Sequence, residues 1–175
     1  MRTLKLLTGV LVAAAVTATA PAFAIDATLY FTGQISQPSC TVDTSSQNQT
    51  INLGSASVTD FAAIGSTLNA TAFNMLLTSC APGTKVTMTV NGTMNTVASV
   101  LQNTGTATQL GVQLLQAASV GGTTGTPITL NSAINLGTVD ATNTMTIPMV
   151  AQFYRLGTLT AGSVTATATV NFTYN

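Results

Sequence analysis

Residues 162–175, GSVTATATVNFTYN, alternate without a break to the last residue of the sequence. Val164, Ala166, Ala168, Val170, Phe172 and Tyr174 fall on one face. Ser163, Thr165, Thr167, Thr169, Asn171 and Thr173 fall on the other. A period of two with a polar outer face predicts a half-buried antiparallel strand over 163–174. No residue follows that could pair with its free edge, so an open edge over an apolar face is expected. A long exposed edge of this kind is an aggregation hazard unless something is built to occupy it. The fold is therefore expected to need one more strand.

Working back from that strand, residues 33–175 read as short β segments separated by Gly, Asn and Ser turns. Strands are predicted over 34–43, 49–53, 71–80, 85–91, 110–117, 128–130 and 145–155, besides the last. Asn91-Gly92 follows the alternating Val86, Met88 and Val90 and predicts a hairpin turn. TDFAAI at 59–64 predicts a helical turn with Asp60 near its start. Thr and Val are abundant, and helix-favouring charged residues are almost missing, which argues for an all-β sandwich rather than a βαβ fold. Beyond residue 24 the charges are Lys85 and Arg155 against Asp26, Asp43, Asp60 and Asp140, with no Glu, His or Trp. There is no basic stripe for nucleic acid.

The first 24 residues, MRTLKLLTGVLVAAAVTATAPAFA, carry Arg2 and Lys5, an apolar stretch over 6–16 and a small-x-small site at Ala22-Phe23-Ala24. That pattern predicts a secretory signal peptide over 1–24, too short and too interrupted for a membrane span. Cys40 and Cys80 are the only cysteines, an even count behind a signal for export, and a disulfide between them is expected. On the chain-entropy picture it would stabilise the fold by roughly 4 kcal/mol.

Residues 25–36, IDATLYFTGQIS, alternate as strictly as the other end. Ala27, Leu29, Phe31, Gly33 and Ile35 share one face. This segment lies ahead of the first cysteine, and an N-terminus with nothing to tie it down is usually mobile. A sandwich short of one strand, joined to a free strand of the right pattern, invites addition of that strand to a neighbouring molecule. Repeated head to tail, this generates an open filament.

Taken together, these features resemble the chaperone–usher (type 1-like) fimbrial pilins. The carriers of the resemblance are the signal peptide, the alternating extension with a glycine before Cys40, and FNMLLTSC closing on Cys80. To these are added QFYRLGTLTAGSV before the last strand, Gly162 fourteen places from the end, and Tyr174 at the penultimate position. The resemblance implies an incomplete immunoglobulin-like β-sandwich over 37–175, lacking its seventh strand and completed by donor-strand complementation. It implies a donor strand carrying Ala27, Leu29, Phe31, Gly33 and Ile35 within an extension over 25–36. The acceptor groove and chaperone contact would include Gly162, Val164, Ala166, Ala168, Val170, Phe172, Tyr174 and the carboxylate of Asn175. Small Ala166 and Ala168 would leave room for Leu29 and Phe31, and Gly33 would sit where the groove is shallow. The implied partners are identical or related pilin subunits, a periplasmic chaperone and an outer-membrane usher. The implied location is a fimbrium on the bacterial surface, reached through the periplasm, with no cofactor.

Three rival readings weigh less. Acid–base catalysis needs a tunable group, most often His or Glu, and the four isolated aspartates offer neither that nor a metal site. A carbohydrate-binding fimbrial adhesin would need a domain ahead of Cys40, where only about fifteen residues stand beyond the signal; Tyr30 and Tyr154 read as packing rather than sugar-stacking groups. A self-contained immunoglobulin-like binding module would tuck 27–35 into its own fold. Four Asn-x-Thr sequons, at Asn48, Asn69, Asn91 and Asn171, are expected by chance in so Asn- and Thr-rich a chain.

Overall fold

The computed structural model of the chain describes residues 29–35 and 39–175. The expected signal peptide and Ala27 lie outside the described residues. Residues up to Ile35 and residues from Ser36 onward form separate units. In the first, 29–35 form no strand, and Leu29, Tyr30, Phe31 and Ile35 are exposed.

Among its described residues the second unit holds nine strands: β1 (Thr41–Val42), β2 (Thr67–Thr78), β3 (Lys85–Asn91), β4 (Val100–Gln102), β5 (Thr108–Ala117), β6 (Gly125–Pro127), β7 (Ala133–Thr138), β8 (Met145–Thr160) and β9 (Thr169–Tyr174). One sheet runs β1-β2-β8-β5-β4 with β6 also on β5, and the other runs β7-β3-β9. Every pairing is antiparallel. Alternation explains the layering. Met75 and Leu77 of β2, Val112 and Leu114 of β5, and Ile147, Met149 and Ala151 of β8 share one buried cluster with Val86, Met88 and Val90 of β3. Each of these sets has the period of two that puts side chains on one face. The result is a two-sheet, all-β sandwich. Cys40 and Cys80 are joined by a disulfide, which ties the entry of β1 to the end of β2.

Several expected elements differ. The predicted strand over 34–43 is reduced to the two residues of β1, within a segment of which 36–38 lie outside the described residues. No ladder forms over 49–53; side chains tie this stretch to β2 instead. Gln49 Nε2 donates to Asn74 O at 2.9 Å, and Asn69 Nδ2 donates to Leu53 O at 2.7 Å and Ser55 O at 3.0 Å. Asn91-Gly92 is not a hairpin turn, since neither residue has the positive φ a type I′ turn needs. Asn131 instead accepts from Gly92 N and donates to Gly92 O, and the chain runs on to the other sheet. Residues 128–130 are not a strand: Ile128 and Leu130 are buried between the sheets, just after the three-residue β6. The helical turn expected over 59–64 is a 3₁₀ turn at Val58–Asp60, closed by a capping box between Ser57 and Asp60. Strands β4 and β7 were not expected at all. The last strand forms a ladder only over Thr169–Tyr174.

Candidate functional site

The candidate site begins with the free edge of β9. β3 lies between β7 and β9, so β9 closes its sheet on one side. Asn175 and Lys85 exchange both backbone hydrogen bonds, at 2.8 and 3.0 Å. From that pair the antiparallel register places Thr173, Asn171 and Thr169 opposite Thr87, Thr89 and Asn91 in hydrogen-bonded pairs. The intervening residues then turn their N–H and C=O groups away from β3. The backbone groups of Val170, Phe172 and Tyr174 therefore face the open edge. Their side chains are half-buried against the core, while Thr169, Asn171 and Thr173 are exposed.

Upstream, residues 161–168 continue extended without entering a ladder. Their anchor is the loop 103–107. Thr104 N donates to Thr165 O at 2.8 Å, and Ala107 N donates to Ser163 O at 3.0 Å. Parity carries through: the polar groups of 163 and 165 are taken on one side, and those of Val164 and Ala166 face the other. Val164, Ala166 and Ala168 pack half-buried against the core, as Val170 and Phe172 do. At Gly162 a Cβ would stand 2.4 Å from Ala107 N, so only glycine fits where the chain leaves this loop.

Facing this edge is a cleft of about 1570 Å³. One wall is 161–172, and the other is the extended stretch from Gln49 to Ser57 with Ile51 and Leu53 turned inward. The floor belongs to the larger sheet and β3: Met75, Leu110, Val112, Met149, Ala151, Phe153 and Val90. Phe61 packs with Leu110 and Phe153 at one end, with Leu53 and Val164 partly buried against them. Arg155 fixes that end by donating to Phe61 O and Gly157 O, each at 2.9 Å. Among the described residues no charged side chain lines the cleft. Burial pushes the Tyr174 phenol above its usual pKa.

An apolar trough flanked by unpaired backbone groups on one wall suits an extended peptide. Apolar side chains on one face of that peptide fill the trough, and its backbone completes the ladder. The structure brings Val164, Ala166, Ala168, Val170 and Phe172 together on one wall. Gly162 stands at the head of that wall, and Tyr174 and Asn175 at its far end beside β3. Leu29, Phe31, Gly33 and Ile35 lie in the other unit. Sequence reading missed the second wall and the floor. Leu110, Val112 and Leu114 against Ile147, Met149, Ala151 and Phe153 were legible as facing alternations. Ile51 and Leu53 alternate within the predicted strand over 49–53, but that short pattern does not show that the stretch stands across the cleft from the last strand.

Residues 29–175 match the model of a family described as fimbrial protein. The type-1 fimbrial protein A chain of Escherichia coli is 32% identical over 170 residues, covering 92% of this chain and 89% of that protein. The F17 fimbrial protein of Escherichia coli is 32% identical over 186 positions, covering 99% and 98%. Among solved structures, the P pilus rod subunit PapA superposes with a TM-score of 0.62 at 18% identity, over 78% of this chain and 99% of that one. The adaptor subunit PapF gives 0.53 at 21% identity, over 81% and 100%. The open two-sheet sandwich is thus the incomplete immunoglobulin-like fold of chaperone–usher pilins. The chain belongs to the fimbrial protein family: it is a structural subunit of a fimbrium on the bacterial surface, not an enzyme.

Proposed function

We propose that this subunit polymerises by donor-strand complementation: residues 25–36 of one copy occupy the cleft between 49–57 and 161–174 of the next. One observation carries the reading. The last strand leaves alternate backbone groups free along an apolar cleft, while Leu29, Phe31 and Ile35 stand exposed at alternate or same-face positions elsewhere in the chain. Ala27 would enter as a fourth apolar residue and Gly33 at a shallow point. Burying Leu29, Phe31 and Ile35 at about 1.5–3 kcal/mol each gives roughly 5–9 kcal/mol, before any backbone hydrogen bonds. That is on the scale of a whole domain's stability, so the joint is long-lived.

Before assembly the same cleft would accept a strand from a periplasmic chaperone that also holds the Asn175 carboxylate, and an outer-membrane usher would preside over the exchange. Residues 1–24 would be removed on export, leaving 25–36 as the extension and 37–175 as the pilin domain. Exchange between like subunits runs head to tail and yields a fibre rather than a ring.

The test is a subunit lacking residues 25–33, given a synthetic peptide of residues 25–36. At a peptide concentration a thousandfold above Kd, stabilisation is about 4 kcal/mol, or roughly 8–16 °C in Tm for a domain of this size. A Phe31→Asp peptide leaves Tm unmoved, because it would bury an unpaired charge in an apolar trough. A truncated subunit that already melts at the temperature of its peptide complex would show a sandwich complete by itself and refute the reading.

A further inference from the structure

The wall formed by 161–168 is held by a device that the ladder pattern does not require. Asn103 sits behind it, part-buried, with its side-chain amide fully used. Nδ2 donates to Ala107 O at 2.8 Å and to Ser163 O at 3.3 Å; Oδ1 accepts from Gly105 N and from Thr165 N, each at 2.8 Å. An asparagine amide offers two donors and two acceptor lone pairs, and all four are satisfied here. Around it, Ser163 N donates to Thr106 Oγ1 at 2.9 Å, Thr106 N donates to Ser163 Oγ at 3.0 Å, and Thr104 Oγ1 donates to Thr165 O at 3.0 Å.

Close backbone approach is built in as well. A Cβ on Gly105 would stand 2.2 Å from Ser163 O, and one on Gly92 would stand 3.2 Å from Thr167 O. The loop and the wall therefore meet backbone to backbone, with Asn103 as the one side chain bonded to both. In an extended chain, fixing the polar groups of 163 and 165 on one side dictates where those of 164 and 166 point on the other. Those are the groups that face the cleft.

We propose that Asn103 is a positioning residue for strand capture: by latching Ser163 and Thr165 to the 103–107 loop, it aims the Val164 and Ala166 backbone at an incoming strand. The proposal rests on the donor-strand reading above and goes beyond it by assigning retention of the strand to a residue that does not touch it.

The experiment uses the exported full-length subunit as native chain, Asn103→Ala, Asn103→Asp and Ser163→Ala. Two quantities are measured: amide hydrogen exchange residue by residue, and the rate at which a bound, labelled peptide of residues 25–36 leaves. In Asn103→Ala the amides of Thr165 and Ala107 exchange faster by on the order of tenfold, while Asn171 and Thr173 keep native rates. Peptide departure quickens by a similar factor. Asn103→Asp keeps the acceptor for Thr165 N and Gly105 N but loses both donors, so it falls between. Ser163→Ala removes only hydroxyl bonds at an exposed position, and it gives a smaller change of the same sign in a chain that folds.

A native subunit that ignores the peptide overturns the donor-strand reading and this proposal with it. A native subunit that holds the peptide, while Asn103→Ala and Ser163→Ala release it no faster, overturns this proposal alone.

Discussion

Residues 161–168 and 169–174 continue one alternating sequence, yet they are held by different means. The second stretch is a backbone ladder on β3, with six register pairs from Val86↔Tyr174 to Asn91↔Thr169. The first has no ladder and is held to the 103–107 loop by two isolated backbone bonds and by side chains of that loop. Periodicity is common to both; the neighbour is not. β3 ends at Asn91, Asn131 takes up both backbone groups of Gly92, and the chain leaves for the other sheet. A strand keeps a ladder only as far as its partner extends. Beyond that point an alternating sequence must find polar partners one at a time.

The comparison can be broken most severely by truncating before Phe172. That removes three of the six β9–β3 register pairs and the Lys85–Asn175 bonds, and the expected result is a subunit that fails to fold, with no cooperative thermal transition. An equivalent loss from the upper stretch should be milder. Met88 lies fully buried under the laddered half, and Met88→Ala is expected to cost about 2–5 kcal/mol in denaturant unfolding. Val164→Ala, half-buried on the latched half, should cost about 1 kcal/mol or less. Equal losses would mean the two halves are energetically one element.

Parity gives a sharper and smaller test. Asn171 N belongs to the ladder, whereas Val170 N faces the open edge. Asn171→Pro should therefore cost the chain an additional hydrogen bond, about 1–3 kcal/mol, beyond Val170→Pro, which removes an N–H without an internal partner. If thermal melts rank them the other way, the edge has been assigned to the wrong side.

Much of this was legible in the residues. The alternation at 163–174, the facing of its odd and even residues, and β3 at 85–91 needed only the period of two. The ends of elements were less legible, because they depend on side chains acting as backbone. Gln49 and Asn69 replace a ladder beside β2, and Asn131 prevents the turn that Asn91-Gly92 advertises. Strand β7, AINLGT, has a bulged register with β3 and a positive φ at Gly137, so its pattern is broken where a reader would count it. The second wall of the cleft was hidden for the same reason as the latch: Asn and Gln contacts at separations of 14 to 62 residues leave no periodic trace.

The smallest expected effect is on acidification. Hydrogen bonds from the Ser45 side chain and backbone hold the Asp43 carboxyl below its usual pKa, and Thr142 does the same for Asp140. Folded values below the unfolded ones mean that the stabilisation is present above about pH 4 and is lost as pH falls through the lowered values. With no histidine in the chain, Tm should be flat between about pH 5 and 8 and decline only below 4. Neither half of the last segment carries a carboxylate side chain, so exchange at Thr165 and Thr173 should not follow that decline.

The uncharged lining of the cleft has a further consequence, for the environments a fibre can enter. Apart from the Asp60 cap on Ser57, both walls are fixed by neutral hydrogen bonds and apolar contacts, and Arg155 is engaged by carbonyls rather than by a counter-charge. Screening by dissolved ions weakens attraction between exposed charges and leaves such contacts nearly untouched. A filament joined through this cleft would hold as well in brine as in fresh water, and moving between them would neither loosen nor tighten it.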